Sequence, residues 1–282
     1  MTSTTASMGL AFLKSASFNP IDYYSGPWCG HLLFAYDLVC DFQPRKIVEL
    51  GSHRGQSYFA FCKAVADAGL ATKTYAIDTW QGDPHAGFYE ESIYQKFSAT
   101  NEQLFKSFST MLRCTFDEAL SHFDETSVDL LHIDGLHTYD AVRHDFETWR
   151  SKLTRPAIVL FHDIAVREKD FGVWKFWMEI KSQYTSFEFE HSNGLGVLLL
   201  GSPDQFFSQN GLVKALFDDA QHANIKRVYA SISALFDRAH LLPALQSECD
   251  AQAARLRHMK RELRFCRRFS LAYLLRRLVK SL

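Results

Sequence analysis

The chain has 282 residues, of which 47% are hydrophobic and 22% charged, with a formal net charge of −1. That length suits one large domain with an appendage or two small domains, and no apolar run approaches the roughly 20 residues a membrane-spanning helix needs. Six scattered cysteines, without a C-x-x-C pair, argue against a disulfide framework and fit a reducing, cytosolic compartment. The near-neutral charge hides a split. Residues 251–282 hold ten of the 31 basic residues but only Glu262 among the 32 acidic ones, so an acidic body carries a basic tail. The opening MTSTTASMGLAFLKSAS lacks a basic region followed by an apolar stretch and reads as a poor secretory signal.

In chain order, residues 1–27 form an N-terminal segment, and WCGHLLFAYDLVC (28–40) reads as an amphipathic helix. KIVEL (46–50) reads as a strand that opens through Gly51-Ser52-His53-Arg54-Gly55-Gln56-Ser57 into the helix SYFAFCKAVADAG. TYAID (74–78) is a second strand, and the aromatic-rich 81–111 is an insertion expected to form lid helices. MLRCTF reads as a third strand and DEALSHF as a short helix. VDLLHID (128–134) and AIVLFHD (157–163) are continuous apolar runs ending in acids, as strands buried on both faces do. Between them TYDAVRHDFETWRSKL is a helix with Ala141, Val142, Phe146 and Trp149 on one stripe. FGVWKFWMEIKSQY is a further helix. FEFEH and GLGVLLL then flank Ser192-Asn193-Gly194, an Asn-Gly hairpin signal. Beyond 203 the strand pattern stops, and 204–282 is a helical extension, with 245–265 a long helix or short coiled coil. The alternation predicts an α/β domain over 28–203 with a mostly parallel sheet and ligands at the carboxyl ends of its strands.

Several residues fall at those strand ends. The glycine turn allows close backbone approach and offers the N–H groups of a helix start, but Glu49-x-Gly51-x-x-x-Gly55 lacks G-x-G-x-x-G, which disfavours a pyrophosphate and a nicotinamide oxidoreductase. Asp78 sits where a carboxylate accepts two ribose hydroxyls, and Trp80 is placed to stack on a base. Asp134, His162 and Asp163 converge on one rim, where a divalent cation resolves the repulsion between carboxylates; the mixed O,N set favours Mg²⁺ or Mn²⁺. His137 is a histidine of ordinary pKa near 6.5, apt for taking a hydroxyl proton.

The turn resembles motif I of the class I S-adenosylmethionine-dependent methyltransferases, and order and spacing agree with that family over about 28–201. His132-Ile133-Asp134-Gly135-Leu136-His137-Thr138-Tyr139, a helix, then Phe161-His162-Asp163 is similar to bacterial metal-dependent sugar and polysaccharide O-methyltransferases and to catechol-type enzymes. The resemblance implies a Rossmann-like seven-stranded sheet closing in an antiparallel hairpin. It implies S-adenosyl-L-methionine contacts from Glu49, Gly51, Ser52, Gly55, Ser57, Asp78, Thr79, Trp80, Thr115, Phe116 and Asp134. It also implies a Mg²⁺ or Mn²⁺ ion on Asp134, His162 and Asp163, with Asp134 and His137 in catalysis and His137 where catechol-type enzymes place a lysine base. His162 departs from the usual carboxylate.

The implied reaction is O-methylation of a sugar or polysaccharide hydroxyl, with a phenolic or other small-molecule acceptor as the alternative. Readings from other classes are a non-haem iron oxygenase using His162, His137 and an aspartate, and a non-catalytic membrane-associated scaffold. The tail sets Phe265, Phe269, Leu271, Leu274, Leu275 and Leu278 among arginines, which suits an in-plane helix on an anionic membrane, a protein partner or a homo-oligomer contact. It lacks a nucleic-acid reading motif. The expected location is the cytoplasm, with peripheral attachment to the inner face of the membrane through this tail.

Overall fold

The computed structural model describes residues 13–85, 87–206 and 211–279. They divide into two compact units, one ending at Leu235 and one beginning at Phe236. The strands are β1 (Lys46–Leu50), β2 (Lys73–Ile77), β3 (Gly82–Asp83), β4 (Gly87–Phe88), β5 (Ser109–Leu112), β6 (Val128–Ile133), β7 (Leu153–His162), β8 (Thr185–Phe189) and β9 (Leu195–Leu200). The helices are α1 (Leu32–Phe42), α2 (Gln56–Asp67), α3 (Glu91–Leu104), α4 (Phe116–Ala119), α5 (Tyr139–Trp149), α6 (Val173–Ile180), α7 (Leu212–Leu216) and α8 (Asp219–Val279), the last with Pro243 inside it.

Seven strands form one sheet in the order β5-β2-β1-β6-β7-β9-β8. The pairings from β5 to β7 are parallel, and β9 runs antiparallel between β7 and β8. This is the seven-stranded Rossmann-like sheet the sequence predicts, closed by the hairpin at Ser192-Asn193-Gly194, where all three residues have positive φ. Chain order reverses between β1 and β6, the crevice where open α/β sheets bind ligands. Every residue of β6 is buried, which explains its unbroken apolar run. Along α5, Val142, Phe146 and Trp149 go into the core with Phe161, Phe176 and Trp177.

Four expectations change. The third strand is Ser109–Leu112, not MLRCTF, because Thr115 and Glu118 form a capping box that starts α4. The insertion contributes one helix, α3, and the two-residue ribbon β3–β4 rather than a set of lid helices. The first unit runs past residue 203, since Leu212, Val213, Leu216, Ile225 and Tyr229 are buried and the Tyr229 hydroxyl donates to Asp37 at 2.9 Å. The N-terminal segment joins the fold from residue 14: the backbone N–H groups of Lys14 and Ser15 each donate to Asp37 Oδ1 at 2.6 Å. In the second unit, Leu242, Leu245, Leu256, Met259, Leu263 and Phe265 are exposed on helix, while the side chains of Phe269, Leu271, Leu274, Leu275 and Leu278 lie outside the described residues. Among the described residues no helix is long and apolar enough to cross a membrane.

Candidate active site

The glycine turn is fixed from three sides. Gly51 takes φ +90°, its N–H donates to Ile77 O at 2.9 Å, and a Cβ there would stand 2.1 Å from the Asp134 carbonyl oxygen, so only glycine fits. Gly55, at φ +83°, begins α2. Asp78 Oδ2 accepts the backbone N–H groups of Ser52 and His53, each at 2.9 Å, and Oδ1 accepts that of Trp80 at 2.7 Å. The acid at the end of β2 therefore clamps the loop that ends β1, and its remaining acceptor capacity faces a cavity of about 240 Å³.

Of the expected cofactor residues, Gly51, Asp78, Thr79, Thr115, Phe116 and Asp134 line that cavity. Ser52 and Ser57 line a neighbouring one of about 380 Å³, which also holds His137, His162 and Asp163 and shares Gly51, His53, Asp83, Tyr89 and Asp134 with the first. Glu49 lies beneath the turn, fully buried; its Oε1 accepts the Ser57 hydroxyl at 2.6 Å and sits 2.8 Å from His132 Nδ1. Trp80 is not a base platform. Its indole is buried against Tyr94 and Phe97 and donates to His53 O at 2.9 Å, because a left-handed backbone at φ +53° turns it inward.

Asp134, His162 and Asp163 do converge, each offering an atom within 4.8 Å of the others. Asp134 follows β6, its N–H bonded to Leu50 O, and Thr138 rather than Asp134 caps α5. His162 ends β7; its Nε2 lies 3.3 Å from the Ser192 carbonyl oxygen and its Nδ1 3.2 Å from Asp134 Oδ1. Asp163 has φ +62°, a conformation that costs energy outside glycine, and its buried Oδ1 has no hydrogen-bond partner. An orphaned carboxylate oxygen beside an imidazole nitrogen and a second carboxylate is a donor set that fits a divalent cation. Burial opposes charge on Asp134, yet His162 and His137 outweigh it and hold its carboxyl well below the usual range.

His137 departs from expectation. Its Nε2 lies 2.9 Å from Asp163 Oδ2 and 3.5 Å from Asp134 Oδ1. Burial works against the imidazolium, but hydrogen bonds to the two carboxylates prevail and raise its pKa to about 10. The two carboxylates thus favour the imidazolium, and the expectation of an ordinary pKa near 6.5 is not met. A further imidazole, His53, faces the same space. It lines both cavities, stacks on Tyr89 with ring centroids 4.3 Å apart, and is pushed below the usual histidine range by burial and by Arg54.

Sequence reasoning missed the wall of the larger cavity built by Tyr24, Ser25, Gly26 and Pro27, which precede the expected domain, and by Trp28 at its first position. Gln56 Nε2 donates to Tyr24 O at 2.7 Å and holds that wall against the start of α2. The aromatic, turn-forming run DYYSGPWCG was the only signal for it.

Residues 48–164 match the model of a family described as a methyltransferase domain. The protein y4gI of Sinorhizobium fredii is 41% identical over 260 residues, covering 84% of this chain, but the chain spans only 28% of that relative's length. Among solved structures, the O-methyltransferase TomG from Streptomyces achromogenes, involved in tomaymycin synthesis and in complex with S-adenosylmethionine, is similar at 17% identity with a TM-score of 0.46, over 64% of this chain and 82% of that one. An O-methyltransferase from Bacillus cereus, in complex with S-adenosylhomocysteine, is similar at 12% identity with a TM-score of 0.47, over 64% and 84%. Residues 48–164 thus match a methyltransferase domain, and they lie within a seven-stranded sheet of order β5-β2-β1-β6-β7-β9-β8.

Proposed function

We propose that the chain is an S-adenosylmethionine-dependent O-methyltransferase that uses a divalent cation and methylates a hydroxyl of a sugar or polysaccharide. One observation carries the reading: the glycine turn clamped by Asp78 and the cluster of Asp134, His162 and Asp163 open onto two cavities that share a wall. The smaller cavity takes the nucleoside, with Asp78 offering acceptor capacity to the ribose. S-adenosylmethionine, when bound, supplies a methyl group already activated on a sulfonium, so the protein's work is positioning and hydroxyl activation.

Asp134, His162 and Asp163 would hold Mg²⁺ or Mn²⁺, which at such a position polarises neighbouring acceptor oxygens. Vicinal oxygens suit it, and sugars supply them. A phenolic acceptor with adjacent oxygens satisfies the same geometry, and the aromatic walls of Tyr24, Trp28 and Phe171 accept either ring. His53 takes the hydroxyl proton. His137 positions Asp163 and balances the carboxylates' charge.

The test is transfer of a radiolabelled methyl group from S-adenosylmethionine to a panel of sugars, polysaccharides and catechols, with calorimetry of S-adenosylhomocysteine alongside. Chelation by EDTA is expected to abolish turnover and to leave S-adenosylhomocysteine binding largely intact. Full turnover in excess chelator sinks the metal-assisted reading, and failure to bind S-adenosylhomocysteine sinks the whole of it.

A further inference from the structure

The larger cavity contains a second cluster, of which the proposed transfer uses only His137. Asp83, His85 and His137 each offer one atom within 4.8 Å of the others. The Nδ1 atoms of His85 and His137 are buried and have no hydrogen-bond partner. An imidazole nitrogen sealed from water without a partner is costly, and two beside one carboxylate call for a shared occupant.

The other side of each ring shows what that occupant is. His85 Nε2 is 2.6 Å from Asp170 Oδ1, and His137 Nε2 is 2.9 Å from Asp163 Oδ2. A carboxylate holding the Nε2 proton leaves Nδ1 to take a cation in place of its own proton and fixes the ring's direction, the arrangement found behind metal-bound histidines. Phe171 fixes the planes as well. Its ring stacks on His137, with centroids 4.9 Å apart and 14° between planes, and on His85 at 4.6 Å and 22°. The β3–β4 ribbon supplies the third member, where Asp83 Oδ1 accepts the His85 backbone N–H at 2.6 Å. The His85 side chain is only 4% exposed, so the cluster is built into the cleft wall rather than spread on the surface.

We propose that Asp83, His85 and His137 form a second divalent-cation site, separate in its ligands from Asp134, His162 and Asp163. Two imidazole nitrogens and one carboxylate oxygen suit a borderline transition metal such as Zn²⁺, Co²⁺ or Fe²⁺ better than Mg²⁺ or Ca²⁺. The two-histidine, one-carboxylate set anticipated from His137 and His162 thus assembles around His137 with a different histidine. Asp163 links the two clusters, with Oδ2 on His137 and Oδ1 turned to the first set.

Metal-free full-length protein titrated with Co²⁺, followed by visible absorption and calorimetry, tests this directly and needs no methyl transfer. The wild type is expected to bind two equivalents. His85→Ala and Asp83→Asn are each expected to lose one, and His162→Ala the other. Asp170→Asn, at a side chain 70% exposed and therefore safe for folding, is expected to weaken one equivalent by about 10–100-fold. A single equivalent that disappears with His162→Ala and is untouched by His85→Ala and Asp170→Asn overturns the second site and leaves the first standing. No Co²⁺ binding by the wild type overturns both.

Discussion

At the scale of single residues, the site depends on groups that do two things at once. Asp78 both clamps the glycine turn and lines the cavity proposed for the nucleoside. Asp78→Ala is expected to weaken S-adenosylhomocysteine binding by about 1.5–3 kcal/mol, the worth of charge-assisted hydrogen bonds. It also strands the Ser52 and His53 N–H groups, so thermal stability falls together with affinity. Calorimetry and melting on one preparation check both, and an affinity loss without a stability loss would mean that the clamp is unimportant. His53 carries the proton-acceptor assignment. His53→Asn is expected to lower kcat by roughly 10²–10⁴-fold with little change in cofactor affinity. Burial and Arg54 lower its pKa and favour the free base, so the acidic limb of the wild-type kcat profile is expected to lie below that of an ordinary histidine. A profile that keeps that limb in His53→Asn moves the role elsewhere.

At the scale of elements, what the sequence could not show is mostly what long-range packing decides. Strands β1, β6 and β7 were legible because burial on both faces forces unbroken apolar runs, and Asp134, His162 and Asp163 were legible because each ends such a run. Trp80 was misjudged because its backbone conformation, which sends the indole between Tyr94 and Phe97, is invisible locally. The raised pKa of His137 was not legible because it depends on Asp134 together with Asp163, which arrives from another strand. Thr115 hid a readable signal, the Thr-x-x-Glu spacing that starts α4. Helix α5 carries a prediction of its own. Asp145 is buried there, and burial outweighs the lowering by His144 and, with a smaller contribution from Asp117, raises its carboxyl to about 7. The folded protein therefore keeps a proton that the unfolded chain loses near pH 4. Stability falls as pH rises from about 4 to 7, and the penalty is complete above that window, at most about 4 kcal/mol. Asp145→Asn is expected to raise the melting temperature at pH 8 by more than at pH 5. Equal shifts at the two pH values would show that Asp145 ionises freely.

At the scale of the whole molecule, the chemistry and the charge asymmetry lie in different units. All the residues assigned to the cavities, from Tyr24 to Asn193, belong to the unit ending at Leu235, whereas the ten basic residues of 251–282 belong to the unit that begins at Phe236. The second unit's helix exposes Leu256, Met259, Leu263 and Phe265 among Arg255, Arg257, Lys260, Arg261 and Arg264. Apolar side chains beside cations suit an anionic surface, where each basic residue contributes about 1 kcal/mol. The tail is thus proposed as a localisation or assembly element that turnover does not require. A chain ending at Leu235 is expected to keep its far-ultraviolet circular dichroism melt, S-adenosylhomocysteine affinity and turnover on a small acceptor, and to lose co-sedimentation with phosphatidylserine vesicles at low salt. Full-length protein that ignores those vesicles rejects the membrane version. Loss of affinity or of a cooperative melt in the shortened chain would instead make the helix part of the fold, and a change in sedimentation velocity from oligomer to monomer would assign it to self-assembly.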